Sequence, residues 1–254
     1  MVVSDEISKA GVLGRGQETI YMISIIIPAL NEEKLLPILL ESIKKQILGE
    51  YEVIIADAGS TDRTAEIAKA YNCKIIMGGL PAKGRNEGVK SAKGDLLLFL
   101  DADSVLPDGF YKSIEEFEKR NLDFASFGLL PYGGKKMQNL AFNVFYNWYI
   151  YALEKALPHA AMGILAKRDL FLKLNGYDET ITLAEDHDLA RRAKRIANYG
   201  ILRSSKIYIS DRRLKKDGWV KTVTKYLLCE LYMVFVGPVR SDIFNYKFNH
   251  YEKK

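Results

Sequence analysis

Acidic and basic side chains in this sequence gather where apolar runs end. Asp101-Ala102-Asp103 follows directly on Leu96-Leu97-Leu98-Phe99-Leu100. Alternate side chains of extended backbone project to one side, so two carboxylates at this spacing can meet one hard cation. An Asp-x-Asp also makes a turn or a helix cap. At the end of a buried strand, however, the two charges desolvate and repel each other, and a divalent ion relieves both penalties. Asp57 ends Ile54-Ile55-Ala56 and could accept a hydrogen bond from the imide N–H of uracil or guanine. The alternative is a cap for the next helix, for which Asp62 is as well placed. Gly84-Arg85-Asn86 sets a residue that lets backbone come close beside a guanidinium able to grip phosphate bidentately; the plain alternative is a surface arginine next to a turn glycine.

Glu185-Asp186-His187-Asp188 opens a helical pattern. Acids are favoured at the positive end of a helix whatever their function. A carboxylate crowded by others also has its charged form disfavoured, which moves its pKa toward the range useful for deprotonating a hydroxyl; this makes Asp186, with Glu185 beside it, the candidate general base. His159, His187 and His250 show no ligand spacing among themselves, so no zinc site is expected, and His159 reads as a satisfied structural residue.

The elements that must position these residues follow from periodicity. Short β-branched runs alternate with helical patterns through the first half, the mark of successive βαβ units and a mostly parallel sheet. Strands are expected at Met22 to Ile27, Tyr51 to Ala56, Cys73 to Met77 and Asp95 to Leu100, the last apolar enough to be central. Asn31-Glu32-Glu33 is expected to cap a helix ending near Ile47, and further helices are expected at Arg63 to Tyr71 and, shorter, Asn86 to Ser91. Beyond a helix near Asp108 to Arg120 and a strand near Asp123 to Gly128, the rhythm gives way to an aromatic helix around Trp148 and mixed elements. These include a helix from Glu185 to Ala197, a strand from Ile201 to Ile209 and an amphipathic helix from Gly218 to Val236. In such sheets ligands bind where loops leave the carboxyl ends of the strands, which here carry Asn31-Glu32, Asp57, Asp101 and Asp103.

The chain of 254 residues carries 37 Lys and Arg against 32 Asp and Glu. This modest excess, gathered late in Arg191 to Arg195 and Arg212 to Lys216, suits a phosphate-bearing ligand or an anionic membrane surface; nucleic acid is not expected as a partner. Two distant cysteines, Cys73 and Cys229, are read as buried thiols. The expected organisation is a flexible extension over 1–20, one α/β domain over 21–215 and an amphipathic helix and tail over 216–254. No stretch is long and apolar enough to span a bilayer. The aromatic run Leu140 to Tyr151 and the final helix are expected to meet either a membrane surface or a second copy in a homodimer, so a cytoplasmic or peripheral inner-membrane location is expected.

Ser24-Ile25-Ile26-Ile27-Pro28-Ala29-Leu30-Asn31-Glu32, Asp57 to Asp62, Gly84 to Gly88, Leu100 to Asp103 and Glu185-Asp186, taken in order, resemble the family 2 glycosyltransferases of GT-A fold. The resemblance covers roughly Tyr21 to Arg213. It implies a Rossmann-like, mostly parallel sheet flanked by helices, with a mixed, acceptor-side second half. It places Pro28, Ala29, Asn31 and Glu32 against the nucleoside, Asp57 on the base and Arg85 near the donor. It also implies Asp101 and Ala102 at the ribose or metal, and Asp103 on Mn2+ or Mg2+ bound to the diphosphate of a UDP- or GDP-sugar. Asp186 becomes the base of an inverting displacement onto an acceptor hydroxyl, that of a sugar, a lipid-linked molecule or a polysaccharide. The Gln-x-x-Arg-Trp block of processive synthases is missing, and where many relatives carry a histidine this chain offers Asp211, Arg212 or Arg213. Asp211 is the expected further metal ligand, with a phosphate contact as the other use of this segment. The competing readings are a nucleotidyltransferase, which would need a glycine-rich loop after the first strand, and a nucleotide-sugar-binding protein without activity.

Overall fold

The computed structural model describes residues 21–212, 215, 218–241 and 243. The extension over 1–20, Arg213, Lys216, His250 and the end of the tail lie outside the described residues, as does the side chain of Trp219. The strands β1 (Ile23–Ala29), β2 (Tyr51–Asp57), β3 (Lys74–Met77) and β4 (Leu96–Leu100) form a parallel half-sheet in the order β3-β2-β1-β4. The connecting helices are α1 (Leu36–Gln46), α2 (Thr64–Ala70) and α3 (Pro81–Ser91). The other half contains β5 (Ser104–Val105), α4 (Tyr111–Lys119), β6 (Phe124–Pro131), β7 (Gly163–Lys167) and β8 (Tyr199–Ile209). It continues the sheet as β7-β6-β8-β5, in which β7 runs antiparallel to β4 and β6, and β8 parallel to β6.

Strand alternation divides the core. Ile23, Ile25, Ile27, Leu96, Leu98 and Leu100 pack with α1 and α4, while Ile26, Ile54, Leu97 and Phe99 pack on the other face with α3 and the later helices. All five residues of β4 are buried, as an inner strand requires. β7 escaped the sequence reading because Gly163-Ile164-Leu165-Ala166 is a short apolar run whose period suits helix and strand equally. Its glycine makes room for a neighbour: a Cβ there would lie 2.2 Å from Ile207 Cδ1 and 3.1 Å from Phe127 Cδ2, so both side chains would have to shift.

Helix α3 begins at Pro81, five residues before the expected start, and lies close on the sheet. A Cβ on Gly88 would stand 2.4 Å from Ile26 Cγ2, and one on Gly84 3.3 Å from Pro28 Cβ. The two glycines, one helical turn apart, let α3 settle onto β1 and carry Arg85 to the strand ends. The expected cap at Asn31-Glu32-Glu33 is not formed: α1 starts at Leu36 without an acid in its first turn, and Asn31 adopts a left-handed φ of 55°. The backbone N–H groups of 31–33 donate instead to the side chains of Ser60, Thr64 and Asp62 beyond β2.

The aromatic segment forms α5 (Lys136–Ala141), a wider π-helical turn (Phe142–Asn147) and α6 (Trp148–Ala152). Further on come α7 (Arg168–Lys173), α8 (Glu185–Lys194) and α9 (Trp219–Phe235). The smallest buried cluster, Leu183, Cys229, Met233 and Val239, lies where α9 and the residues after it meet the segment leading into α8. Both cysteines are free; Cys229 is buried as expected, Cys73 only partly.

Candidate active site

Side chains from α3, β4 and α8 converge at the carboxyl end of the sheet. Arg85, 3 % exposed, donates from Nη1 to Glu185 Oε1 at 2.7 Å and from Nη2 to Asp101 Oδ1 at 2.6 Å. Asp186 Oδ1 stands 3.6 Å from Arg85 Nη1 and accepts a hydrogen bond from the Tyr177 hydroxyl at 3.0 Å. The Tyr177 ring lies 5.3 Å from the guanidinium carbon, close enough for a cation–π contact. Burial opposes the charge on Arg85, but Asp186, Tyr177, Asp101 and Glu185 together hold it well above its usual pKa. The fork expected on phosphate is thus closed on two carboxylates, and the surface alternative is excluded by its burial.

Asp186 is driven the other way. Burial, the dominant cause, with the negative charges of Glu185 and Asp101, outweighs Arg85 and raises its pKa from 3.8 to about 6. Its backbone is set by Ala184, which precedes α8 with a left-handed φ of 62° and whose carbonyl accepts from His187 N. A non-glycine residue in this region costs on the order of 1–2 kcal/mol, strain that the surrounding packing must sustain. Tyr177 was missed by the sequence reading. The available signal was Asn175-Gly176, a turn pair with φ of 58° and 66° that aims the next residue inward. Asn86 then grips that turn, accepting from Tyr177 N and donating to Tyr177 O, both at 2.9 Å. Arg192 secures the same loop through the carbonyls of Leu174 and Gly176.

Asp101-Ala102-Asp103 is a tight turn, not the extended segment expected: Ser104 N donates to Asp101 O at 3.0 Å, and Ala102 is buried beneath. The two carboxylates consequently face different arginines. Asp101 meets Arg85, whereas Asp103 Oδ2 accepts from Arg212 Nη2 at 3.2 Å. Arg212 also donates to Glu32, at 3.0 and 3.2 Å, and so links the first and last strand ends. The charge repulsion anticipated within the Asp-x-Asp is relieved here by two guanidinium groups. Asp211 pairs with Lys215 at 2.9 Å.

A third cluster faces the ends of β1 and β2. Ala29 O accepts from Ala58 N, Asn31 Oδ1 accepts from Thr61 N, and Asn31 N donates to Ser60 Oγ. Glu32 N donates to Thr64 Oγ1 and Glu33 N to Asp62. Asp57 accepts from both the backbone and the hydroxyl of Ser60, an aspartate-led turn, while Asp62, one residue before the N-cap Arg63, accepts from Thr64 N at the start of α2. Pro28 lies at this rim over Gly84. The fold therefore brings nine of the site residues into three groups: Arg85, Asp101, Glu185 and Asp186; Glu32, Asp103 and Arg212; and Asn31 with Asp57; Asp211 is paired with Lys215 instead.

Residues 24–158 match the sequence model of the glycosyl transferase family 2. The chain belongs to glycosyl transferase family 2. It is 29% identical over 185 residues to the glycosyltransferase EpsJ of Bacillus subtilis strain 168, a match covering 65% of this chain and 54% of EpsJ. The transferase thus spans little more than half the length of that relative. Among solved structures it superposes on residues 1–349 of TarS from S. aureus in complex with UDP-GlcNAc, with a TM-score of 0.61, 23% identity and coverage of 83% of this chain and 66% of the other. A mannosyltransferase from Pyrobaculum calidifontis in complex with GDP-Man and Mn2+ gives 0.66 at 18% identity, over 82% and 62% of the two chains. The fold is accordingly GT-A.

Proposed function

We propose that this transferase moves a sugar from a UDP- or GDP-linked donor to an acceptor hydroxyl with inversion, Asp186 acting as the base. The observation that carries the reading is the state of Asp186, a buried carboxylate with a pKa raised to about 6 at the carboxyl end of a GT-A sheet. At neutral pH it is ionised yet basic enough to take the acceptor proton. As that O–H bond breaks, the acceptor oxygen attacks the anomeric carbon and the bond to the nucleoside diphosphate opens on the opposite face. Arg85 and Tyr177 hold the base in place, with Glu185 keeping Arg85 oriented. The rim formed by Pro28, Ala29, Asn31, Glu32 and Asp57 would receive the nucleoside, Asp57 pairing with the imide of uracil or guanine.

The donor set suits a hard divalent ion. Asp101 and Asp103 present carboxylates whose side chains are 27% and 28% exposed, and diphosphate oxygens would complete the shell. When bound there, Mn2+ or Mg2+ supplies Lewis-acid stabilisation of the departing diphosphate. Arg212 is placed to turn from Asp103 to a phosphate, and Asp211 would join the metal only by releasing Lys215. The solved relatives with UDP-GlcNAc and with GDP-Man and Mn2+ support both donor classes equally.

The acceptor side supports a membrane-surface substrate. Met137, Leu140, Phe145 and Trp148 on the aromatic helix are exposed, as are Leu228, Leu231 and Phe235 on α9, and no helix of the described residues is long and apolar enough to cross a membrane. Residues 21–215 would form the transferase unit and 216–254 its amphipathic flank, resting on the inner face of the cell membrane beside a lipid-linked acceptor. Liposome flotation separates this from a homodimer face. For the donor site, the test is the melting temperature with UDP-, GDP- and ADP-sugars, with and without Mn2+. A Mn2+-dependent rise with one nucleotide class supports the reading; no rise with any donor overturns it.

A further inference from the structure

His159, His187 and Glu230 come from the loop before β7, the first turn of α8 and the middle of α9, and the fold brings them face to face. Their ligand atoms lie within 4.8 Å of one another. His187 Nε2 is 2.5 Å and His159 Nδ1 3.3 Å from the same oxygen, Glu230 Oε1. The two imidazole rings stand 4.0 Å apart, nearly perpendicular. The histidines show no ligand spacing in sequence, yet the fold sets two of them against one glutamate, and His159 has one ring nitrogen bonded to Tyr146 and the other directed at Glu230.

The contacts are not those of a completed hydrogen-bond network. His159 Nδ1, both ring nitrogens of His187 and Glu230 Oε2 are buried without a hydrogen-bond partner of good geometry, and the two imidazoles meet Glu230 as short charge contacts. Both imidazole nitrogens and the carboxylate oxygen they approach are potential metal-ligand atoms. A cation between them can be shared by all three. Around a tetrahedral ion with bonds of about 2.0–2.1 Å, ligand atoms stand about 3.3–3.4 Å apart, so His159 and Glu230 are already at that spacing and His187 needs to open from Glu230 by less than about 1 Å. The outer contacts are also those of a metal site. The Tyr146 hydroxyl and His159 Nε2 share a hydrogen bond at 2.9 Å, and in the tautomer whose Nε2–H donates to the tyrosine oxygen Nδ1 carries the lone pair a metal needs; the Arg191 guanidinium lies 3.9 Å from Glu230 Oε2.

We propose that His159, His187 and Glu230 form a second divalent-metal site, distinct from the aspartates after β4, which takes a zinc-class ion and clamps α9 onto the catalytic helix α8. Nitrogen ligands with one carboxylate select Zn2+ or its neighbours over Mg2+, whereas the oxygen-only site at Asp101 and Asp103 has the opposite preference. The clamp has a structural purpose. Among the described residues, the buried cluster uniting α9 with the entry to α8 is Leu183, Cys229, Met233 and Val239, with Ala184 and Tyr232 packed against it, and an ion beside it would add a second tie between the two helices. His187 is the immediate neighbour of Asp186, so an ion there also fixes the turn that follows the left-handed Ala184.

The full chain, stripped with chelator and dialysed against Co2+ or Zn2+ in the presence of excess Mg2+, tests this. The expected result is one retained equivalent, a visible cobalt spectrum of low-coordinate N/O type that Zn2+ abolishes, and a higher melting temperature with Zn2+. His159→Gln and Glu230→Gln should each lose the retained equivalent and the Zn2+-dependent melting shift, while Asp103→Asn keeps both. No retained Zn2+ or Co2+ in the wild-type chain overturns the proposal without reference to any variant. Retention that survives in folded His159→Gln and Glu230→Gln, judged by circular dichroism, overturns it equally, and retention lost in Asp103→Asn assigns the ion to the donor site instead.

Discussion

Replacing Asp186 by Asn should raise the stability of this transferase while destroying its turnover. Asp186 binds its proton more tightly folded than unfolded, since its pKa rises from 3.8 to about 6. Between these values the folded chain holds more protons than the unfolded one, so the stability this group contributes is full below about pH 4 and is lost as pH rises through 6. The difference of roughly 2 units corresponds to about 3 kcal/mol at neutral pH. Asn removes that cost but leaves Arg85 one carboxylate poorer, while its amide oxygen can still accept from Tyr177. A net gain of about 1–3 kcal/mol is expected, or about 2–4 °C of melting temperature per kcal/mol for a chain of this size. Turnover should fall by about 10²–10⁴ with the general base gone. The assays are thermal melts of both proteins from pH 4 to 8, nucleotide-release kinetics and donor binding. The variant should lack the wild-type decline in stability across pH 4 to 6 and keep its donor affinity. A variant that melts lower than wild type at pH 7.5, or turns over within tenfold of it, refutes the account of Asp186 as a buried, strained base.

Arg85→Lys keeps the charge but cannot span Glu185 and Asp101 at once, so it should cost about 1.5–3 kcal/mol in chemical denaturation and reduce kcat more than donor affinity. Tyr177→Phe deletes the hydroxyl that stabilises ionised Asp186; the acid limb of the rate–pH profile should move upward from about 6 with the fold intact, and an unmoved limb would detach Tyr177 from the base. Gly88→Ala forces a methyl group to within 2.4 Å of Ile26 and should destabilise by about 1–3 kcal/mol, visible as a lowered denaturation midpoint, whereas Gly84→Ala, with 3.3 Å to Pro28, should be milder.

Much of this molecule could be read along the chain. The strands β1, β2, β3 and β4 were marked by β-branched or leucine-rich runs, and the acids following them had to lie at the carboxyl end because parallel strands share a direction. The ordered blocks from Ser24 to Asp186 likewise carried the family. Helix starts were less legible: Asn31-Glu32-Glu33 has the composition of a cap, yet its backbone N–H groups found the side chains of Ser60, Asp62 and Thr64 beyond β2, a choice made by tertiary contact. The same holds for β7, whose short apolar run became a strand because a slot between β4 and β6 accepted it.

Sequence by itself determined the residue types available for chemistry and the end of the sheet at which most would appear. It could not determine their partners, because hydrogen bonds and charge pairs form across separations that spacing does not encode. Arg85 reaches Glu185 over 100 positions, Arg212 reaches Glu32 over 180, and His159 meets Glu230 only after α9 has folded back onto α8. The Asp-x-Asp illustrates the division. Its two carboxylates were legible, but the turn that parts them, and the separate arginines that each one faces, exist only once the ends of distant strands stand side by side.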